Sequence, residues 1–255
     1  MRLLLLVLLL STTPSWAIYV NSLSSHDRKT LSSALAKLDI LIRNARTDNR
    51  AVTLTFSQLY APLSTDQRAL LDSIRSLDPA QLSIKTPAMN CGPEPNDLVK
   101  MPSRKVIISG KDHWLTTLYL PKDASTDLSA MLETMHKQIG KTLYVESGYR
   151  SPAYQLYLFT AGVKRRSYNI KETARWIALP GYSEHGCPTM QAVDFINEDG
   201  INCNSPAAKF AALPEYAWLK TNAARYNFQL SYPPDSNTGI TFEPWHWRHV
   251  RKTLK

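Results

Sequence analysis

The segment Gly181-Tyr182-Ser183-Glu184-His185-Gly186-Cys187-Pro188-Thr189-Met190-Gln191-Ala192-Val193-Asp194-Phe195 changes character part-way along. Pro180-Gly181 and Pro188 punctuate its first part as loop, whereas Ala192 to Phe195 reads as a short strand. Side chains alternate across an extended chain, so Asp194 faces a cleft while Val193 and Phe195 pack behind it. His185 stands nine positions earlier. A second polar and aromatic run, Phe242-Glu243-Pro244-Trp245-His246-Trp247-Arg248-His249, closes the C-terminal side. Thr241 to Glu243 reads as strand, and Pro244 ends its regular pairing, which frees Glu243 and His246 from a period of two and lets them converge.

Working outward from these runs, residues 213–226 and 153–161 read as helices, the second entered through Pro152. Residues 142–146 form a short strand running into Ser147-Gly148-Tyr149-Arg150. Residues 127–139 form a helix with Leu128, Met131, Leu132, Met135 and Ile139 on one side. Two strands, 105–109 and 114–120, meet around Gly110-Lys111-Asp112. Residues 85–102 carry Pro87, Gly92, Pro93, Pro95 and Pro102 and read as a linker or irregular lead-in. Before it lie two helical patterns, 24–45 and 64–77, the second with Ser64 and Gln67 spaced as a capping box. Helices mixed with short antiparallel strands, without regular strand-helix alternation, give an α+β fold: a small antiparallel sheet with flanking helices, preceded by a helical N-terminal extension.

Composition sets the class. With 44% hydrophobic and 20% charged residues in 255, the chain is long enough for a full core and is not of the disordered type. Met1-Arg2, the apolar run Leu3 to Leu10, and Ser15 and Ala17 before a cut after Ala17 have the form of a cleaved export signal over residues 1–17. The apolar run is short for a permanent span, so a periplasmic or secreted mature protein is expected. The formal charge of +9 reads first as a solvated basic face and second as affinity for an anionic wall polymer. No arginine-rich tract or recognition-helix pattern accompanies it, and Lys164-Arg165-Arg166 is a short cluster, so no nucleic acid is expected. Export places Cys91, Cys187 and Cys203 in an oxidising compartment, with Cys187–Cys203 the preferred disulfide.

Two imidazoles and one carboxylate, His185, His246 and Asp194, suffice as protein ligands for a catalytic zinc ion with one position left for water. Glu243 then supplies a general base. The residues alone leave a second reading open, in which the histidines are packed and hydrogen-bonded among tryptophans, and the HExxH pattern is absent.

Four segments taken together, Ser147-Gly148-Tyr149-Arg150-Ser151 with Gln155, Gly181 to His185, Ala192 to Phe195 and Glu243 to Arg248, resemble the VanY-like D-alanyl-D-alanine carboxypeptidases. The wider group includes lysostaphin-type peptidases and hedgehog domains. The resemblance covers roughly residues 85–250. It implies an 85–255 zinc-peptidase domain after an 18–84 extension, one Zn2+ per chain on His185, Asp194 and His246, and Glu243 as catalytic base. It also implies Arg150 as a catalytic and substrate-binding residue that holds a peptide carboxylate. Ser151 and Gln155 would hold that loop, Trp245 and Trp247 would build the wall, and His249, where a tyrosine is common, reads either as a substrate-site residue that hydrogen-bonds the reaction centre or as a surface histidine. The implied substrates are peptidoglycan stem peptides losing a C-terminal D-amino acid, with endopeptidase cleavage or a non-catalytic wall-binding module as alternatives. The sequence departs from the family pattern in the longer bridge Gly186 to Gln191, in Met190 where a glycine is expected, in Asn227 for glycine, and in His249 for tyrosine.

Overall fold

Leu31, Ala34, Leu35, Leu38 and Ile42 recur at helical spacing and form the buried face of α1 (Ser25–Thr47), whose N-terminus is capped by Ser24. The computed structural model that shows this describes residues 18–86, 97–187 and 189–250. Two short helices follow, α2 (Phe56–Tyr60) and α3 (Thr65–Arg75), each opened by a reciprocal capping box, Thr55 with Gln58 and Ser64 with Gln67.

These helices are not a separate layer. Leu35, Leu38 and Leu71 share one apolar core with Leu156, Phe159 and Val163 of α5 (Pro152–Arg165) and with Ile170 of α6 (Ile170–Ala174). Backbone bonds stitch the same seam: Ser151 N donates to Val52 O at 2.7 Å and Leu23 N to Tyr168 O at 3.1 Å.

Between the two helical groups the chain builds strands. β1 (Leu98–Met101) pairs antiparallel with β4 (Leu118–Pro121), and β2 (Arg104–Ile108) forms a hairpin with β3 (Lys111–Leu115). The expected strand 114–120 is therefore two strands that leave in different sheets. Part of the stretch read as linker is β1, and residues 87–96 of that stretch lie outside the described residues. After α4 (Lys122–Ile139), whose helical path ends at Gly140 with φ 64°, comes the main sheet. It comprises β5 (Leu143–Ser147), β6 (Ala192–Asn197), β7 (Phe228–Leu230) and β8 (His246–His249), in the order β5-β6-β8-β7 with every pair antiparallel. α7 (Ala207–Ala211) and α8 (Pro214–Asn222) lie between β6 and β7 in the chain. Met131 and Met135 of α4, Leu219 of α8, and Val193, Phe195 and Trp247 of the sheet form the second core. The fold is thus the α+β arrangement expected, with helices before it.

Two differences concern the site. Thr241 to Glu243 is not a strand; the chain turns at Pro244-Trp245, closed by His246 N donating to Glu243 O at 3.1 Å, and the strand begins at His246. Proline carries no N–H for a ladder, so pairing starts after it. The expected Cys187–Cys203 disulfide is also absent. Cys187 is buried with its Sγ 3.5 Å from Thr189 Oγ1, whereas Cys203 is exposed with its Sγ 4.0 Å from Glu146 Oε2, so the two sulfurs face different neighbours. Cys91 and the expected signal segment lie outside the described residues.

Candidate metal centre

The register of the main sheet sets Asp194 of β6 directly opposite His246 of β8. One residue away Val193 faces Trp247, and both are buried behind the sheet. Alternation thus sends the polar pair to one side and the apolar pair to the other. His185 comes from a 3-10 turn, Glu184–Gly186, that leans on the loop after β5. That loop is reached through a bulge between Val145 and Ser147. Its backbone touches the turn closely: Arg150 N donates to His185 O at 3.0 Å. A Cβ on Gly186 would lie 2.8 Å from Arg150 O, so only glycine permits this approach.

Hydrogen bonding fixes how the two imidazoles are presented. His185 Nδ1 lies 2.8 Å from Gly148 O, which can only accept, so the proton sits on Nδ1 and Nε2 offers a lone pair. That Nε2 is buried, has no hydrogen-bond partner, and stands 3.1 Å from Asp194 Oδ2. A lone pair facing a carboxylate oxygen is repulsive unless a cation lies between them. His246 is held in the same manner by the other end of its ring: Nε2 contacts Glu184 Oε2 at 2.9 Å, which leaves Nδ1 at 2.9 Å from Asp194 Oδ1. One ligand atom from each of His185, Asp194 and His246 falls within 4.8 Å of the others. Two nitrogens and one oxygen at that spacing suit a single metal ion, with outer carboxylate and carbonyl partners orienting both rings.

Electrostatics agree with the geometry. Burial alone would raise Asp194, but the two histidines beside it, His185 and His246, outweigh it and hold the carboxyl well below the ordinary range. Burial, then the Arg150 charge, bring His185 down to about 4, so it stays neutral and able to ligate. Against its burial, bonds to Asp194 and Glu184 raise His246 to about 10. Glu243, 3.9 Å from His246 Nδ1, is pushed up to about 7 by burial.

A cavity of about 350 Å³ opens on these groups. Its lining includes Arg150, Gln155, Tyr232, Glu243 and Trp245 beside the three ligand residues. Arg150 approaches Asp194 Oδ2 at 3.5 Å through one terminal nitrogen, while its Nε is buried without a partner. Gln155 donates to Ala178 O at 2.7 Å and keeps its Oε1 without a partner.

A family model described as VanY, D-alanyl-D-alanine carboxypeptidase, matches residues 117–252. The chain belongs to the VanY family. Among curated relatives, a D-alanyl-D-alanine carboxypeptidase of Enterococcus faecalis is 37% identical over 115 residues, covering 42% of this chain and 39% of that protein. The carboxypeptidase YodJ of Bacillus subtilis, named as putative, is 32% identical over 162 residues, covering 62% and 55%. The chain thus spans about two fifths to just over half the length of these relatives. A solved structure of the LdcB LD-carboxypeptidase is similar at 28% identity and TM-score 0.52, over 67% of this chain and 76% of that one.

Within this VanY domain not every residue expected at the site reaches the cavity. Ser151 is the N-cap of α5, its Oγ accepting from Tyr154 N and donating to Leu54 O. Trp247 is buried in the second core, with its indole N–H on Pro244 O. His249 is also buried, its Nε2 2.8 Å from Asp127 Oδ2, and it does not line the cavity. Asp127 also accepts from Asn227, whose φ of 62° is the left-handed backbone that lets asparagine replace a glycine. Two residues given no role from sequence do matter. Glu184 bonds His246, Ser231 and Arg248, and these partners overcome its burial to hold it at about 2. Its position directly before His185 in the opening segment is the one sequence signal by which it could have been found. Tyr232 lies with its ring centre 5.0 Å from that of His246, and nothing in Ser231-Tyr232-Pro233 marks it.

Proposed function

We propose that this protein is an exported zinc carboxypeptidase that removes a C-terminal D-amino acid from peptidoglycan stem peptides. The observation that carries the reading is the face-to-face placement of the His185 Nε2 lone pair and the Asp194 carboxylate, with His246 Nδ1 on the other carboxylate oxygen. A zinc ion held there supplies Lewis acidity, polarising a scissile carbonyl and making a water easier to deprotonate. Membership of the VanY family and the named activities of its relatives support the substrate class.

The chain's own residues divide the remaining work. Glu243, with its carboxyl raised to about 7, accepts a proton from the attacking water and returns it to the leaving amine near neutral pH. Arg150, which lines the cavity, holds the terminal carboxylate of the substrate through its guanidinium. Trp245 and Tyr232 wall the groove and limit water access. Gln155 holds the start of α5 through its bond to Ala178 O. The pattern of residues 1–17 supports export, and no helix among the described residues is long and apolar enough to cross a membrane.

Product masses test the reading. Defined tetrapeptides, pentapeptides and cross-linked dimers are incubated with zinc-loaded protein. Release of single terminal D-alanine is expected. Internal cleavage without terminal release would replace it by an endopeptidase of the same mechanism.

A further inference from the structure

The cavity does not end at the metal ligands. It follows α5 to its last turn, where Arg165, Arg166, Leu158 and Trp176 join the lining. Close packing builds this end: a Cβ on Gly162 would lie 2.5 Å from Ile177 Cδ1 and 3.1 Å from Thr173 Cγ2, so the chain after α6 is drawn tight against α5. That brings Trp176 beside Arg166, with the guanidinium carbon 5.7 Å from the indole ring centre, yet leaves Trp176 45% exposed.

Charge at this end is one-sided. Residues 164–176 hold Lys164, Arg165, Arg166, Lys171 and Arg175 against a single acid, Glu172. Glu172 is already engaged, by Arg175 at 3.4 Å and by the Trp176 indole N–H at 3.1 Å. Among the described residues neither Arg165 nor Arg166 is in a salt bridge. Burial and the adjacent Arg165 charge both disfavour the Arg166 cation, which marks a place where an incoming anion relieves a repulsion. The acids of the cavity, Asp194, Glu184 and Glu243, all lie at its other end.

Building on the carboxypeptidase reading, we propose that Arg165, Arg166 and Trp176 form a second carboxylate subsite, selecting peptides that carry an acidic residue on the acyl side of the scissile bond. The arginine pair grips the free carboxylate and Trp176 covers the peptide beside it. The 14 residues of α5 separate this pair from Arg150 by roughly 20 Å along the helix axis. Less the reach of two arginine side chains, this leaves about two to three extended residues between the terminal carboxylate and the second one.

The test uses two synthetic peptides ending in D-Ala-D-Ala and identical except for one residue four positions from the C-terminus, glutamate in one and glutamine in the other. Wild-type protein is expected to favour the acidic peptide in kcat/KM. Arg165→Ala/Arg166→Ala is expected to raise KM for that peptide about tenfold with kcat within about twofold, to change KM for the glutamine peptide far less, and so to erase the preference. Equal treatment of the two peptides by wild type, or an equal loss on both in the double variant, overturns the proposal. Titration calorimetry of both peptides on Glu243→Gln protein separates this from the peptidase reading. An acid preference in Kd without any turnover in wild type keeps the subsite and removes the carboxypeptidase, whereas turnover with equal Kd values does the reverse.

Discussion

His246 meets a carboxylate at each ring nitrogen, Glu184 at 2.9 Å and Asp194 at 2.9 Å, and the two contacts have different consequences for metal and for protons. In the metal-free protein His246 sits at about 10, above its ordinary value, so its contribution to stability is complete below about 6.5 and is lost as pH rises through 10. Glu184 sits at about 2, below its ordinary value, so its contribution is present above about 4.5 and is lost as pH falls through 2. Together they make metal-free stability from this pair greatest between those two limits. Zinc must displace the His246 Nδ1 proton, so binding at pH 7 is predicted to release about one proton or slightly more, read by calorimetry in buffers of different ionisation enthalpy. Release of none would mean that Nδ1 is not a ligand. Arg150 provides a second prediction at this scale. Arg150→Lys keeps the charge and loses the planar fork, so KM for a peptide with a free terminal carboxylate should rise about tenfold or more, with a much smaller effect on an amidated terminus. His185 and Asp194 were legible because turn and alternation set them apart, whereas Arg150 was singled out through the family resemblance, and Glu243 with His246 through a strand end at Pro244 that is in fact a turn. His249, readable from sequence either as a reaction-centre or as a surface residue, is instead buried on Asp127, a partner too distant in the chain to be seen there.

Elements explain why these residues stay in place. The α5 helix is anchored at its start by Ser151, whose Oγ both caps Tyr154 N at 3.2 Å and donates to Leu54 O at 2.7 Å. Ser151→Ala removes both bonds inside a buried site, with an expected cost of about 1–2 kcal/mol and a fall in Tm of about 2–8 °C in a denaturation scan. A Tm unchanged within error would show that the cap is not needed to hold the Arg150 loop. The longer helices were read because periodicity and caps are local signals, and the Ser64 and Gln67 box is one of them, whereas the five-residue α2, α6 and α7 are too short to show a period. The strands were harder. β1 pairs with β4 across the whole hairpin of β2 and β3, so its register is set by a partner distant in the chain and a proline-rich stretch hides it. β8 was placed too early because Pro244 was taken to end a strand when it precedes one.

At the scale of the whole molecule, the N-terminal helices and the metal centre are mechanically joined. Leu38 of α1 is fully buried in the core that also holds Leu156 and Phe159 of α5, and α5 begins next to Arg150. Leu38→Ala is predicted to cost about 2–5 kcal/mol and to shift a single cooperative transition seen by both far-ultraviolet and tryptophan signals. Two separated transitions would show instead that residues 18–84 fold on their own. Sequence periodicity announced these helices but not what they pack against, because an apolar stripe carries no address. The proposed centre is one zinc ion held by His185, Asp194 and His246, with Glu243 as base. Metal analysis together with D-alanine release from a D-Ala-D-Ala peptide, on wild type and Glu243→Ala side by side, tests it most directly. About one zinc per chain is expected in both proteins, with turnover in the variant reduced about 10²–10⁴-fold. A wild-type protein that takes up no zinc, or a Glu243→Ala variant that keeps full activity, would contradict it.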